Sequence, residues 1–174
     1  LLCCPRILDT SLGMGGGFDL IVDKLEETPH AVIFVPFRPA CIYIQYELKL
    51  RGYQHVHMIR GGITHDEQTQ EINAFKEARG ILICTISYAE SFDLETCDTS
   101  HFLGYDYSLD VNEQAEGRTQ RAISKHEYVT WNYVKYMNTI DEHFLNELTE
   151  DMHNVRRVMK RPESLINALK GIRP

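Results

Sequence analysis

Four residues in the second half of the chain have the types and spacing to do chemistry together. They lie within NEQAEGRTQR, residues 112–121, and are Gln114, Gly117, Arg118 and Arg121. Offsets of three, four and seven residues place side chains one above another on an α-helix. Such a stripe is normally apolar because it faces the core. Since this one carries an amide and two guanidinium groups, the sequence predicts either a solvent-facing helix or a helix that meets an anion.

The overall charge argues against a protein that holds nucleic acid through a bulk positive field. The 174 residues include 18 Lys and Arg against 25 Asp and Glu, which gives a formal net charge of −7. Any phosphate contact must therefore come from a local cluster. The composition, 43% hydrophobic and 25% charged, is that of a globular protein. No apolar run reaches the roughly 20 residues of a membrane span, so a membrane is not an expected partner.

Cysteine usage predicts a reducing compartment inside the cell, the cytoplasm or the nucleus. None of the five cysteines forms a C-x-x-C pair, and an odd number does not suit a closed disulfide framework. His55 and His57 lie two residues apart on a predicted strand, which could begin a metal site. No cysteine or carboxylate stands at zinc-ligand spacing to complete a tetrahedron, so no metal site is predicted.

Strand-like and helix-like patterns alternate along the chain. Short apolar runs and period-two patterns predict strands at residues 31–35, 55–59, 81–84, 100–106 and 128–134. Helical patterns follow the glycines at 15–17 and continue at 40–52, 65–78, from Asp110 through 112–121, and at 139–148. This order indicates βαβ units. It predicts a three-layer α/β fold with a mostly parallel central sheet and helices on both faces.

Capping patterns and strand ends locate the expected starts of helices and the expected working edge. Capping pairs that would open helices are Thr64–Glu67, Asp110–Glu113 and Thr139–Glu142. In parallel sheets, ligands bind beyond the carboxyl ends of the strands. The segments that directly follow strands, and that we expect at this edge, are 36–39, 60–63, 85–94 and 107–110.

Taken in order, five segments resemble motifs of the second RecA-like domain of superfamily 2 helicases. QAEGRTQR resembles motif VI, Q-x-x-G-R-x-x-R, while AVIFVPF and ILICTISYAESFDL occupy the places of motifs IV and V. MIRGGITHDEQTQEINAF is similar to the family segment in which a glycine follows a strand, and VTWNYVKYMNTIDEHFL to the segment that closes the domain. The likeness is closest to Swi/Snf-type translocases and related phage or viral helicases, and it runs from Gly17 to Leu148.

The expected organisation is a linker at 1–16, the RecA-like domain at 17–150 and a basic extension at 151–174 that is helical or partly disordered. The sequence begins with Leu1 rather than Met, which indicates a piece of a longer chain. In the family, ATP with Mg²⁺ lies between two RecA-like domains, and the first domain supplies the P-loop and the acidic metal-binding motif. No G-x-x-x-x-G-K-[ST] occurs here, so this chain alone is not expected to hydrolyse ATP.

The resemblance implies specific roles at the shared ATP site. Arg118 and Arg121 match the arginine fingers that stabilise charge on the transferred phosphoryl group. Gln114 matches a position that couples the nucleotide and nucleic-acid sites. Gly117 would let the helix approach its neighbour, and Asp93 matches an acidic position that meets the ATP ribose.

The implied partners are the N-terminal RecA-like domain of the same protein and nucleic acid, with DNA expected. Thr85 matches a hydroxyl that contacts the nucleic-acid backbone. Gly61 matches the glycine that follows a strand in the similar family segment and is assigned to nucleic acid as well.

One departure from the family keeps a second interpretation open. Where motif V is rich in glycine, this chain has Tyr88, Ala89, Glu90 and Ser91. A degenerate RecA-like module that binds nucleic acid or protein without ATPase activity is therefore the alternative. A third interpretation, an unrelated parallel α/β enzyme, is disfavoured because no nucleophile–base pattern is present. The sequence IDEH at 140–143 is interpreted as the start of a helix, not as an acidic metal-binding motif.

Overall fold

Five parallel strands form the central layer of the protein. They are β1 (Ala31–Val35), β2 (Val56–Ile59), β3 (Ile81–Thr85), β4 (Thr99–Phe102) and β5 (Thr130–Tyr133), in the spatial order β2-β3-β1-β4-β5. The structure is a computed structural model, and it describes residues 3–120, 126–139, 141–143 and 146–149, apart from the side chains of residues 90 and 91. Every strand pairing is parallel, as predicted.

Four helices cover the two faces of this sheet. They are α1 (Gly16–Glu27), α2 (Arg38–Leu50), α3 (His65–Ala78) and α4 (Leu109–Glu116). Alternate residues of the fully buried strand β1 enter different cores. Ile33 and Val35 pack with side chains of α1 and α2, whereas Val32 and Phe34 pack with Phe75 of α3 and with residues near α4. The predicted three-layer fold is confirmed.

The start of α3 follows the sequence prediction in detail. Thr64 is the N-cap, and its Oγ1 accepts a hydrogen bond from the Glu67 amide at 3.2 Å. The Glu67 carboxylate accepts in return from the Thr64 amide at 2.7 Å, which completes the capping box. These bonds satisfy two amides that the helix itself cannot pair.

The predicted extent of α4 is wrong at both ends. The N-cap is Ser108 rather than Asp110, and the entry is held by the buried Asn112, whose amide bonds the backbone of Asp106 and Ser108. The helix ends at Glu116 and does not continue through 121. The ending is decided by tertiary contact, because the carbonyl of Arg118 accepts from the Leu94 amide at 3.0 Å instead of continuing the helical ladder.

Smaller differences occur at two other predicted elements. Strand β4 stops at Phe102, four residues before the predicted end, where Gly104 packs closely on the Pro36 ring. At the predicted helix 139–148, residues 141–143 and 146–149 are helical. Its opening uses shifted bonds: the Thr139 hydroxyl accepts from the Asp141 amide, and Glu142 accepts from the Asn138 amide.

The segment before α1, expected to be a linker, contributes side chains to the core. Cys3, Cys4 and Met14 are buried in the cluster beneath α1 and α2. All five cysteines are buried free thiols. No helix within the described ranges is long and apolar enough to cross a bilayer.

Two histidines of the central sheet, His57 and His101, belong to its packing. His57 Nδ1 lies 3.0 Å from a carboxylate oxygen of Glu71. His101 in β4 is 1% exposed, and burial, with a contribution from the charge of Lys24, lowers its pKa to about 4 and keeps the ring neutral. Among the residues that the structure describes, no group of three or more metal-ligating side chains is close enough to hold an ion.

Candidate nucleotide and nucleic-acid site

The carboxyl ends of the strands gather most of the predicted site residues at one edge of the sheet. Thr85 ends β3, Gly61 follows β2, and Asp93 lies in the loop after β3. Arg118 reaches the same loop from the turn after α4. Arg121 lies outside the described residues, as does the extension 151–174.

Arg118 is bound to the loop that follows β3 at two points. Its Nη1 donates to the carbonyl of Phe92 at 3.3 Å and lies 3.7 Å from Oδ1 of Asp93. The Arg118 side chain is 13% exposed, while that of Asp93 is 53% exposed. The Leu94 amide of the same loop donates in turn to the Arg118 carbonyl. The loop and the turn therefore each donate a hydrogen bond to the other. The structure thus brings two predicted nucleotide-site residues into contact.

Gln114 and Gly117 are placed differently from the single helical face that their spacing predicts. Gln114 is exposed on α4, whereas Gly117 lies just beyond the last helical residue with φ −62° and ψ −11°. Within the described part of the chain, a Cβ on Gly117 would come within 4 Å only of the carbonyl oxygens of Glu113 and Gln114. The expected close approach of a neighbouring element is therefore not seen there.

The segment in the place of motif V forms a short 3₁₀ helix, Ile86–Ser91. It follows directly on Thr85, which is 2% exposed. At this burial the Thr85 hydroxyl is not accessible to a nucleic-acid backbone in the structure. Bulky residues replace the family's glycines here, and Tyr88 packs against other hydrophobic side chains of this face of the sheet.

Two arginines that the sequence analysis did not assign lie at this edge. Arg38 opens α2, and its guanidinium lies over Gly62, 2.9 Å from where a Cβ would stand. A Cβ on Gly61 would lie 3.8 Å from Arg38 and 3.9 Å from Tyr88. The loop after β2 therefore meets the start of α2 and the 3₁₀ helix after β3 at this point. The φ of Gly62 is +92°, a backbone conformation that favours glycine. Because glycine has no Cβ, the guanidinium has room at this position.

Arg60 is the second of these arginines and directly follows β2. Its Nε is buried without a hydrogen-bond partner among the described atoms. Burial raises the pKa of the Cys41 thiol to about 12, and the charges of Arg60 and Arg38 oppose this shift, so both cations act on the same region. The sequence could have indicated both arginines through their positions, because each stands just after a strand, where parallel sheets bind ligands.

The fold is that of a RecA-like α/β domain, and comparison with known families shows to which family it belongs. Residues 17–123 match the model of the helicase conserved C-terminal domain. Since this match covers more than half of the chain, the protein belongs to that family. A comparison with curated protein sequences gives no match.

Solved helicase structures share the fold at low sequence identity. The C-terminal part of the Fun30 ATPase domain superposes with a TM-score of 0.70 at 16% identity, covering 77% of this chain and 45% of that one. Domain 2 of the DEAD-box helicase Mss116p, bound to an RNA duplex, gives 0.60 at 24% identity, covering 76% and 52%. The Escherichia coli DEAD-box protein SrmB, bound to the regulator RraA, gives 0.65 at 19% identity, covering 78% of each chain.

These likenesses establish the architecture of the second RecA-like domain. The chain spans about half the length of the Fun30 and Mss116p chains that it matches. Nothing in the comparisons bears on the expected likeness to phage or viral helicases.

Proposed function

We propose that this chain is the C-terminal motor domain of an ATP-dependent helicase or translocase of the Swi/Snf-like kind. The observation that carries the proposal is the match of residues 17–123 to the helicase conserved C-terminal domain, on a fold whose carboxyl edge also holds the contact of Arg118 with Phe92 and Asp93. This contact joins the segment in the place of motif V to the turn that leads to Arg121. ATP with Mg²⁺ binds mainly to an N-terminal RecA-like domain, and this chain completes the site.

In this proposal the two arginines and Asp93 act on different parts of the nucleotide. Asp93 accepts a hydrogen bond from the ribose, while Arg118 and Arg121 stabilise the negative charge that develops on the transferred phosphoryl group. The contact of Arg118 with Asp93 must then open when the domains close on ATP. Asp93 is 53% exposed, so its side of the pair is well solvated, whereas the largely buried Arg118 must also give up its hydrogen bond to the Phe92 carbonyl.

Nucleic acid binds, in the same proposal, at the edge formed by Arg38, Arg60 and Gly61, next to the end of β3, where Thr85 is buried. Two guanidinium groups beside glycine backbone can contact phosphates locally, which the net charge of −7 does not prevent. DNA is the expected partner because the motifs of this chain resemble most closely those of Swi/Snf-type translocases. RNA is the competitor to test, since the Mss116p domain was solved with an RNA duplex.

The proposal is tested by ATP hydrolysis with and without the partner domain. We expect no ATP hydrolysis by the 174-residue chain alone and nucleic-acid-stimulated hydrolysis by the protein in which an N-terminal RecA-like domain precedes it. The measurement is phosphate release at saturating ATP with and without duplex DNA or RNA. A two-domain protein that binds nucleic acid but releases no phosphate would contradict the proposal.

Neutralising Arg38 or Arg60 should weaken nucleic-acid binding in a salt-dependent way. For each of Arg38→Gln and Arg60→Gln, we expect the slope of log K against log salt to fall in magnitude by about 0.9 on duplex DNA, the loss of one phosphate contact. Fluorescence anisotropy of a labelled duplex at several salt concentrations measures it. Arg79→Gln is the matched control, because Arg79 precedes β3 at the opposite edge of the sheet. An equal change in slope for all three variants would show that the effect is one of net charge alone.

A second candidate function, a binding module without ATPase activity, is favoured by one observation. The guanidinium of Arg118 is largely buried by its own domain, where the segment in the place of motif V forms the 3₁₀ helix Ile86–Ser91. If this module were the correct function, the Arg38 and Arg60 variants would lose binding while the two-domain protein would show no stimulated ATP hydrolysis.

A further inference from the structure

We propose that the hydroxyl of Thr119 is a positioning group that anchors the turn carrying the two arginines. The catalytic consequence of this inference rests on the proposed function, while its structural basis does not. Thr119 directly follows Arg118 and precedes Arg121 by two residues. It is fully buried, and it lies where the turn after α4 meets the sheet.

The Thr119 hydroxyl uses all of its hydrogen-bonding capacity. Its Oγ1 accepts from the indole Nε1 of Trp131 at 3.3 Å and from the Ser100 hydroxyl at 3.4 Å. It donates to the carbonyl of Glu116 at 3.2 Å. A threonine hydroxyl offers one donor and two acceptor positions, so valine, which has the same shape without the hydroxyl, could make none of the three contacts.

Each of these three contacts attaches the turn to a different element. Glu116 is the last residue of α4, where carbonyl groups lack partners within the helix. Ser100 and Trp131 are register partners on the neighbouring strands β4 and β5. The hydroxyl therefore fixes the end of α4 to two strands of the central sheet at one point.

A second buried contact holds the same helix end against β5. The Tyr133 hydroxyl donates to the carboxylate of Glu116, and Glu116 is 4% exposed. This contact fixes the partner to which Thr119 donates. The end of α4 is thus held on β5 through two adjacent points, on either side of Arg118 in the sequence.

Loss of the hydroxyl should misplace the arginines without weakening ATP binding to the same degree. A misplacement of about 1 Å at a reacting centre costs on the order of 100-fold in rate. In the two-domain protein, we expect Thr119→Val to lower kcat for ATP hydrolysis by roughly 10- to 100-fold. The KM for ATP should change by less than about threefold, because the N-terminal domain holds most of the nucleotide. Thr119→Ser, which keeps the hydroxyl, should restore kcat to within about threefold of wild type.

Trp131 reports on the anchor in the 174-residue chain, because it is the one tryptophan of the sequence. Its fluorescence depends on the hydrogen bonding of the indole N–H. We expect the emission maximum to shift in Thr119→Val and to stay at the wild-type wavelength in Thr119→Ser. If Thr119→Val does not fold, the double variant Ser100→Ala with Trp131→Phe releases the hydroxyl from both strands, and its kcat should fall at least tenfold.

The outcomes separate this inference from the proposed function. A folded Thr119→Val protein with wild-type kcat would overturn the positioning role and leave the proposed function intact. A fall in kcat that Thr119→Ser does not restore would also overturn it, since the hydroxyl would then not be the cause. If the wild-type two-domain protein hydrolyses no ATP, the proposed function and the positioning of catalytic arginines both fail, and the emission of Trp131 decides whether the anchor itself exists.

Discussion

Replacing Arg121 by Ala is expected to lower nucleic-acid-stimulated ATP hydrolysis by about 10³-fold or more. The transferred phosphoryl group spreads negative charge over its equatorial oxygens in the transition state, and a guanidinium placed there stabilises that charge. A loss of this size corresponds to about 4 kcal/mol of transition-state stabilisation. Steady-state phosphate release by the two-domain protein, at saturating ATP and nucleic acid, gives the ratio of kcat values.

Two further variants show whether the guanidinium itself is responsible. Arg121→Lys keeps a positive charge but lacks the planar fork, so it should recover only part of the rate. Arg79→Ala removes an arginine from the opposite edge of the sheet and should leave kcat within about twofold of wild type, as expected for a surface change. A fall of less than about tenfold for Arg121→Ala would exclude an arginine finger at this position.

Gly80→Ala is expected to destabilise the fold by about 3 kcal/mol or more. Gly80 precedes β3, and a Cβ there would stand 2.2 Å from the backbone oxygen of His55. That oxygen accepts from the Ile81 amide at 2.8 Å, the bond at the start of the pairing between β2 and β3. The clash is with backbone, so it cannot be relieved by rotation of a side chain. The free energy of unfolding from urea titration of the 174-residue chain measures the effect.

Gly16→Ala is the matched control for this substitution. Gly16 is the first residue of α1, and a Cβ there would have nothing within 4 Å. Alanine has the higher helix propensity, so the free energy of unfolding should stay the same or rise by up to about 1 kcal/mol. Similar losses in the two variants would mean that the contact between Gly80 and His55 is not the cause.

The order of strands and helices could be predicted because each element is determined by interactions between residues close together in the chain. The apolar run at 31–35 has no period of its own, which is what a strand buried on both faces requires, and β1 is buried along its whole length. Thr64 and Glu67 satisfy each other's amides within a single turn, so α3 begins at the predicted residue. From these strands and helices, the parallel sheet and its carboxyl edge follow by general rules of chain connection.

The end of α4 could not be predicted from sequence spacing, because distant residues determine it. Gln114 and Arg118 have the four-residue offset of a helical face, yet the helix stops between them. The Leu94 amide and the Phe92 carbonyl, more than 20 residues away in sequence, hold the backbone and side chain of Arg118. A motif therefore indicated which residues belong to a site without indicating their conformation.

By itself, the sequence determined the class of fold, the positions of its strands and the edge at which the site residues meet. Hydrophobic periodicity and capping act between residues close in the chain, so they can be read directly. Only the tertiary structure decided that Arg38 lies over Gly62, that Arg118 contacts Asp93, and that Thr119 joins α4 to β4 and β5. These relations depend on distances between separate elements, and the side chains that make them carry no local pattern of their own.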